Sequence, residues 1–327
     1  MASRRSFMLG GAAYAAGAWS VHAQAQGSAD YPSRAVTIMS TSQAGGGLDL
    51  LARLVAEKMA ASWGQPVVVE PRPGANGMIA AGAVSRARPD GYTLLISNSS
   101  VVQNTILYPQ PSYRLDELMP VSQVVQFPIA LAVRSDIAAN SVEDLVRLAK
   151  ANPGKLSFGS YGAGSSGHLL GETLKREAGV YMLHVPYRGE PPLLNALVGA
   201  EIDAAFASVG GLARQRSSGK MRMLAVASSS RLKDFPDLPT FQEAGFPSVS
   251  VPGWAGMFAP AGCPPAVAQK VAEEVRRIVG LPDVLPKLTG ALGALPVGMQ
   301  PEEFRALIAR EHATWASTIK AAGIKLE

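Results

Sequence analysis

Three glycine-rich turns hold the residues best suited to chemistry, and that chemistry is the grip on an anion. The first is Gln43-Ala44-Gly45-Gly46-Gly47-Leu48-Asp49, the second Arg72-Pro73-Gly74-Ala75-Asn76-Gly77, and the third runs from Gly159 to Gly167. Each follows a β-branched or apolar run and precedes helical periodicity. Glycine lets the backbone approach a ligand closely, and the first N–H groups of the following helix have no acceptor within it. Ser160, Ser165 and Ser166 add neutral donors, and Tyr187-Arg188-Gly189 adds a phenol and a guanidinium suited to a planar carboxylate. A single such turn means little, because a chain that must turn tightly needs glycine anyway. Several at the carboxyl ends of strands in both halves point to a ligand cleft, the edge where open α/β sheets bind.

Other chemistries compete. Gly162-x-Gly164-x-x-Gly167 has the spacing of a dinucleotide fingerprint, and Glu190 lies 23 residues past Gly167, near where a ribose-binding acid would sit. An exported NAD(P)-dependent oxidoreductase is therefore the alternative, although no Tyr-x-x-x-Lys pair accompanies the turn. Neither a Gly-x-Ser-x-Gly elbow nor a Gly-x-x-x-x-Gly-Lys-Ser/Thr loop occurs. His22, His168, His184 and His312 share no metal-ligand spacing with carboxylates or with Cys263, so no metal and no cofactor is expected. A packing role is expected of the histidines, with His168, beside the third turn, as the exception to test. Asp49 either steadies its helix dipole or faces the ligand.

The elements that must position these turns alternate in the manner of an α/β protein. Strands are expected at 36–40, 67–69, 92–97, 156–159, 182–186 and 221–227, and helices from Gly47 to Gly64, then at 78–86, 168–178, 191–199, 265–279 and 301–321. Ser141 reads as a helix cap. Two α/β sets result, with the C-terminal helices returning to the first. The expected lobes are 30–127 with 229–327, and 128–228, with crossings near 124–133 and 225–230.

Composition sets the class. A chain of 327 residues, 47% hydrophobic and 17% charged, can build about two domains with real cores. One cysteine excludes a disulfide scaffold. The net charge of +5 falls to +3 without Arg4 and Arg5, and the basic residues form no run, so no nucleic-acid partner is expected. Arg4 and Arg5 precede a short apolar stretch, Phe7 to Trp19, and small residues follow near Ala23 and Ala25. Residues 1–25 read as a signal peptide, of twin-arginine type in preference to the ordinary secretory one. The mature protein is then expected in the periplasm.

In order along the chain, Ala-Gly-Gly-Gly-Leu-Asp (44–49), Val-Glu-Pro-Arg-Pro-Gly-Ala-Asn-Gly (69–77), Pro-Asp-Gly-Tyr-Thr-Leu (89–94), the Gly/Ser turn with His168, His-Val-Pro-Tyr-Arg-Gly (184–189) and Leu-Val-Gly-Ala-Glu-Ile-Asp (197–203) together resemble the tripartite tricarboxylate transporter receptors, the Bug or TctC-like solute-binding proteins. The resemblance runs from about Tyr31 onward. It implies a two-lobed periplasmic-binding-protein fold of type II, each lobe a mainly parallel sheet flanked by helices, closing on a small carboxylate. It also implies delivery to a membrane permease, no catalysis, and a monomer; a periplasmic sensor would share the fold. Carried onto this chain, the ligand contacts are Gln43, Ala44, Gly45, Gly46 and Gly47 from one lobe and Ser160, Gly162, Gly164, Ser165, Tyr187, Arg188 and Gly189 from the other. Asp49, His168 and Asp203 complete the candidate set, and Ser97, Ser99 and Phe127 are expected at the distal end of the cleft. The family often has Thr or Ala where Leu48 stands, and Asn in place of Pro71.

Overall fold

The computed structural model describes residues 30–324; the signal-peptide reading lies outside them. Two sheets organise the chain. The first contains β1 (Val36–Ser40), β2 (Val67–Pro71), β3 (Thr93–Asn98), β4 (Leu118–Phe127), β10 (Gly253–Pro260) and β11 (Leu295–Pro296), in the order β11-β4-β10-β3-β1-β2. The second contains β5 (Ile129–Arg134), β6 (Ser157–Ser160), β7 (Leu183–Pro186), β8 (Ala204–Ser208) and β9 (Met221–Ala227), in the order β7-β6-β8-β5-β9. Both sheets thus share one plan. Three strands joined by right-length helical crossovers are parallel, and the strand that arrives from the other lobe, β10 or β5, runs antiparallel to its neighbours. The antiparallel pairs have a simple cause: a strand entering from the far side of the cleft starts at the edge where the local strands end.

Helices cover both faces of each sheet, as buried parallel strands require. In the first lobe, α1 (Gly47–Trp63) and α8 (Pro265–Val279) bury Leu51, Val55, Met59, Val271 and Val275 on one face. On the other face, α2 (Met78–Ser85) and α3 (Ser100–Leu107) pack with Trp254, Phe258 and Phe304. In the second lobe, α4 (Val142–Ala151) and α5 (Ser166–Ala178) lie on the face of Phe158, while α6 (Glu190–Val198) and α7 (Val209–Gln215) lie on the opposite face. Ser141 caps α4, its hydroxyl accepting from the Asp144 N–H at 3.1 Å. The strands that periodicity does not reveal are those without alternation. β10 is buried along its whole length, and β8 is mostly alanine, a weak strand former.

The chain passes from one lobe to the other at Phe127-Pro128-Ile129, between β4 and β5. It returns later than the expected 225–230. Residues 229–252, assigned by sequence to the first lobe, stay on the second, where Thr240 bridges to Val226 and Phe241, Ala244 and Val249 enter that core. The return falls just before Gly253. A third tie was not expected at all. Helix α9 (Pro301–Ala322) sinks Phe304 and Ile308 into the first lobe and Trp315 and Ile319 into the core of the second. Its apolar stripe reads as one amphipathic face, and only the packing shows that the stripe serves two cores.

Trp315 is 1% exposed. Replacing it with alanine is expected to cost about 3–5 kcal/mol, as for large aromatics in cores. The measurement is the denaturant midpoint of unfolding; a loss below about 1 kcal/mol would show that α9 is not a structural tie.

Candidate functional site

The carboxyl ends of β1, β3, β6, β7 and β8 lead into the candidate turns. On the first lobe, β1 runs into residues 41–46, and α1 begins at Gly47 with Gly46 as a cap that has no side chain to offer. The first N–H groups of α1 therefore receive no side-chain acceptor, unlike those of α5 and α7. Asp49 is fully buried, and its Oδ2 accepts from the Gly45 N–H at 2.9 Å and from Arg53 Nε at 2.8 Å. Burial opposes its charge, but the Arg53 and Gly45 bonds outweigh that and hold the carboxyl below its usual range. Asp49 thus shapes the turn by drawing Gly45 back onto the helix. The second turn is held against α3. Asn76 Nδ2 donates to Asn104 Oδ1 at 2.8 Å, and Asn104 Nδ2 donates to the Asn76 carbonyl at 2.9 Å.

The third turn is braced from inside by groups that a motif search would assign to the ligand. Ser165 caps α5 by accepting from the His168 N–H at 3.4 Å, and its hydroxyl donates to the Gly162 carbonyl at 2.7 Å. The Gly164 N–H donates to His168 Nδ1 at 3.0 Å, and the Gly167 N–H to Tyr161 Oη at 3.2 Å. Ser160 Oγ donates to the Gly162 carbonyl at 2.9 Å and pairs with His184 Nε2 at 2.8 Å. The Gly189 N–H goes to the carbonyls of Tyr161 and Tyr187. Gly162 itself has φ 156°, and Tyr187 is half-buried while Arg188 is exposed.

Beneath the turn, His168 and His184 stack at 3.8 Å with 4° between their planes. Sequence spacing gives no hint of this pair. His168 Nδ1 accepts a hydrogen bond, so that ring is neutral, and burial opposes a charge on either ring. Burial lowers His168 to about 4, with help from Lys175. Burial likewise lowers His184 to about 3, with His168 and Lys175 adding to it. His168 therefore positions Gly164 and is itself 7% exposed.

The lobes meet at the strand ends. Ser99 Oγ lies 2.8 Å from Ser166 Oγ, and Gln103 Nε2 donates to the same hydroxyl at 2.8 Å. Ser99, at the start of α3, and Ser166, at the start of α5, belong to different lobes, so this buried contact brings the first lobe's edge against the third turn. Gln103 carries no sequence signature, and Ser166, read from sequence as a donor of the third turn, meets the other lobe instead. Nearer the crossing, a Cβ on Gly210 of α7 would lie 2.5 Å from the Gly293 Cα of the first lobe. Backbone touches backbone there, beside the bond from the Val209 N–H to the Pro128 carbonyl.

The remaining candidates fall into place. Ser97 is buried in the sheet opposite Gly256, and Phe127 is half-buried at the end of β4 against the first lobe's core. Gln43, Ala44, Gly45 and Gly47 are exposed at the cleft edge. Asp203 is the one candidate removed from the site. It lies at the opposite end of β8, accepting from Arg134 Nε at 3.1 Å and from the Ser157 N–H at 2.8 Å, so its charge joins strands instead of meeting a ligand. Glu190 is turned toward the end of β8, where its Oε1 accepts from the Ser208 N–H at 2.7 Å. Among the described residues no group of three His, Cys, Asp or Glu side chains is arranged to hold a metal, and no helix is long and apolar enough to cross a membrane. Two surface hollows, of about 780 and 560 Å³, open on the outer side of the first lobe, away from these strand ends.

Two lobes of one topology, joined at their strand ends and turned toward each other, define a solute-binding protein of the periplasmic type. The model of the tripartite tricarboxylate transporter family receptor matches residues 51–324. Protein BugT of Bordetella pertussis is 34% identical over 300 residues, covering 91% of this chain and 92% of BugT. The structure of R. palustris Rpa4515 with adipate is 32% identical with a TM-score of 0.79, over 90% of this chain and 99% of that one. MatC from Rhodopseudomonas palustris with bound malate is 30% identical with a TM-score of 0.74, over 88% and 100%. The chain belongs to the tripartite tricarboxylate transporter receptor family and is Bug-like.

Two outcomes follow from the geometry. In the unfolded chain the histidines titrate near 6.5, so as pH falls below that value the unfolded state takes up protons first and stability is lost down to about 4. Buried Glu311, raised to about 7, works with the opposite sign between 4.5 and 7. Comparing wild type with His168→Gln cancels that contribution: the wild-type melting temperature should fall more steeply from pH 7 to 4, and parallel curves would show that His168 is not held neutral by the fold. Gly210→Ala, at an unstrained position, should prop the lobes apart. Small-angle scattering should show a larger radius of gyration with the melting temperature nearly kept; an unchanged radius rejects the contact as a pivot.

Proposed function

We propose that this chain is a periplasmic receptor that captures a small carboxylate between its lobes and hands it to a permease of the tripartite tricarboxylate transporter. The observation that carries this reading is the uncapped start of α1 at the interlobe edge. A helix N-terminus without an acceptor favours a negative group through both its free N–H donors and its dipole. The Ser99–Ser166 contact brings the second lobe to that edge, so one anion can touch both. Neutral donors suit a carrier, because a charge held by amides is released more easily than one held in a cluster of arginines.

The binding of adipate by one relative and of malate by another supports a carboxylate ligand. The nucleotide alternative is disfavoured by the third turn itself. Its Gly164 and Gly167 amides are spent on His168 and Tyr161, which leaves a pyrophosphate few donors. The ligand contacts proposed are the amides of Gly47 and Leu48 with the edge formed by Gln43 and Ala44, and Arg188 and Tyr187 from the second lobe. Ser160, Gly162, Gly164, Ser165 and Gly189 act as the frame of the third turn. Closure follows hinge motion about the crossings, and the ligand shifts the balance only by its preference for the closed form.

Gly47→Pro tests the central contact. Position 47 opens the helix, where proline is tolerated; a Cβ there meets nothing within 4 Å, and Gly46 already has the extended backbone that precedes proline. The variant should fold normally and lose about 10- to 100-fold in affinity, the worth of one hydrogen bond to a charge. Thermal shift with a panel of small carboxylates provides the ligand, since 100 times the dissociation constant stabilises by about 2.7 kcal/mol. Protection by NAD(P) alone would overturn the reading.

A further inference from the structure

Glu190 begins α6, yet its side chain turns toward the end of β8, where Oε1 accepts from the Ser208 N–H at 2.7 Å. Ser208 pairs with Ile129 at the lobe crossing, while Ser160, two residues lower on this edge, pairs with Phe206. At about 3.3 Å per residue, the Glu190 carboxylate stands about 7 Å beyond the level of Ser160, at the height of the third turn. It stands near the Tyr161 phenol, which is raised by burial first and by the Glu190 charge second. A Cβ on Gly211 would come to 2.5 Å from Oε1, so a larger residue at 211 would displace the carboxylate from this place. No ion pair joins Glu190 to a cation among the described residues, and Arg214, the nearest influence of opposite sign, is exposed.

Resting on the receptor reading above, we infer that Glu190 determines which acids this protein accepts: those with one carboxylate and a cationic or hydrogen-bond-donating far end, such as ω-amino acids, in preference to dicarboxylates. The first lobe takes the carboxylate at the start of α1. The far end then meets the second lobe between the third turn and the crossing, where the Glu190 carboxylate stands. A second anion placed there faces like charge in a partly desolvated site and is disfavoured. An ammonium or hydroxyl instead finds an acceptor. Burial pushes the Glu190 carboxyl upward, against the Ser208 bonds that favour its ionised form. An incoming cation relieves that cost and an incoming anion adds to it.

The test is isothermal titration of the full mature protein, at neutral pH, with unbranched acids of four, five and six carbons ending in an amine, a carboxylate or a methyl group. Wild type should bind the amino acid of the best-fitting length at least about tenfold more tightly than the matching diacid. Glu190→Gln keeps an acceptor for the Ser208 N–H and removes the charge. It should keep its melting temperature and shrink that ratio by about tenfold or more, mainly through tighter diacid binding. The inference is overturned if both proteins bind these acids with one and the same ratio, or if wild type prefers the diacid; the receptor reading survives either result. Absence of binding by both proteins to every acid in the series overturns the inference and the receptor reading together.

Discussion

The constraint on which this structure depends is that the first N–H groups of a helix need acceptors, and here most of those helices start at one edge. At α4, α5 and α7 a serine hydroxyl meets the need from within the chain. At α1 a glycine stands in the capping position and offers nothing. Capped turns are rigid because their donors are spent, while the start of α1, like the other starts without a side-chain cap at α2, α3, α6 and α8, retains donors for something else. The stacked histidines extend the same logic downward. His168 supplies an acceptor to the Gly164 N–H and His184 pairs with Ser160 without adding a charge that would compete for an anion.

Closure is governed by a second balance. At the strand ends the lobes touch through polar contacts at Ser99, Gln103 and Ser166 and through bare backbone at Gly210 and Gly293, while Leu107 of α3 packs into the second core. Neutral hydrogen bonds of this kind are each worth about 0.5–1.5 kcal/mol net. Such an interface is weak enough to reopen, and a ligand with modest preference for the closed form can tip it. Helix α9 acts differently. With large side chains in both cores it ties the lobes on one side.

Much of the fold was legible because its parallel portions follow a strong local rule. The β1-turn-α1 unit, the edge strands β2 and β7, and helices α8 and α9 declare themselves by periodicity, and their caps by residue type. The antiparallel strands β4, β5 and β10 were not legible, since a strand buried on both faces shows no alternation. The lobe boundary was misplaced for a related reason: residues 229–252 form no long element, and only the contact of Phe241 and Val249 with the second core reveals where they belong.

The sequence alone determined the class of protein: glycine and serine at the ends of apolar strands, in an order specific enough to place the chain in its family, dictate turns that offer donors to an anion. What only the tertiary structure decided is which donors remain available. Ser165, Gly164 and Gly45 look alike in a motif, yet each is consumed by a neighbour brought close by folding. Asp203 is drawn to the far end of its strand and Glu190 to the near one. Spacing along a chain fixes residue type and local turn, while the direction of a side chain and the identity of its partner depend on contacts between segments tens to hundreds of residues apart.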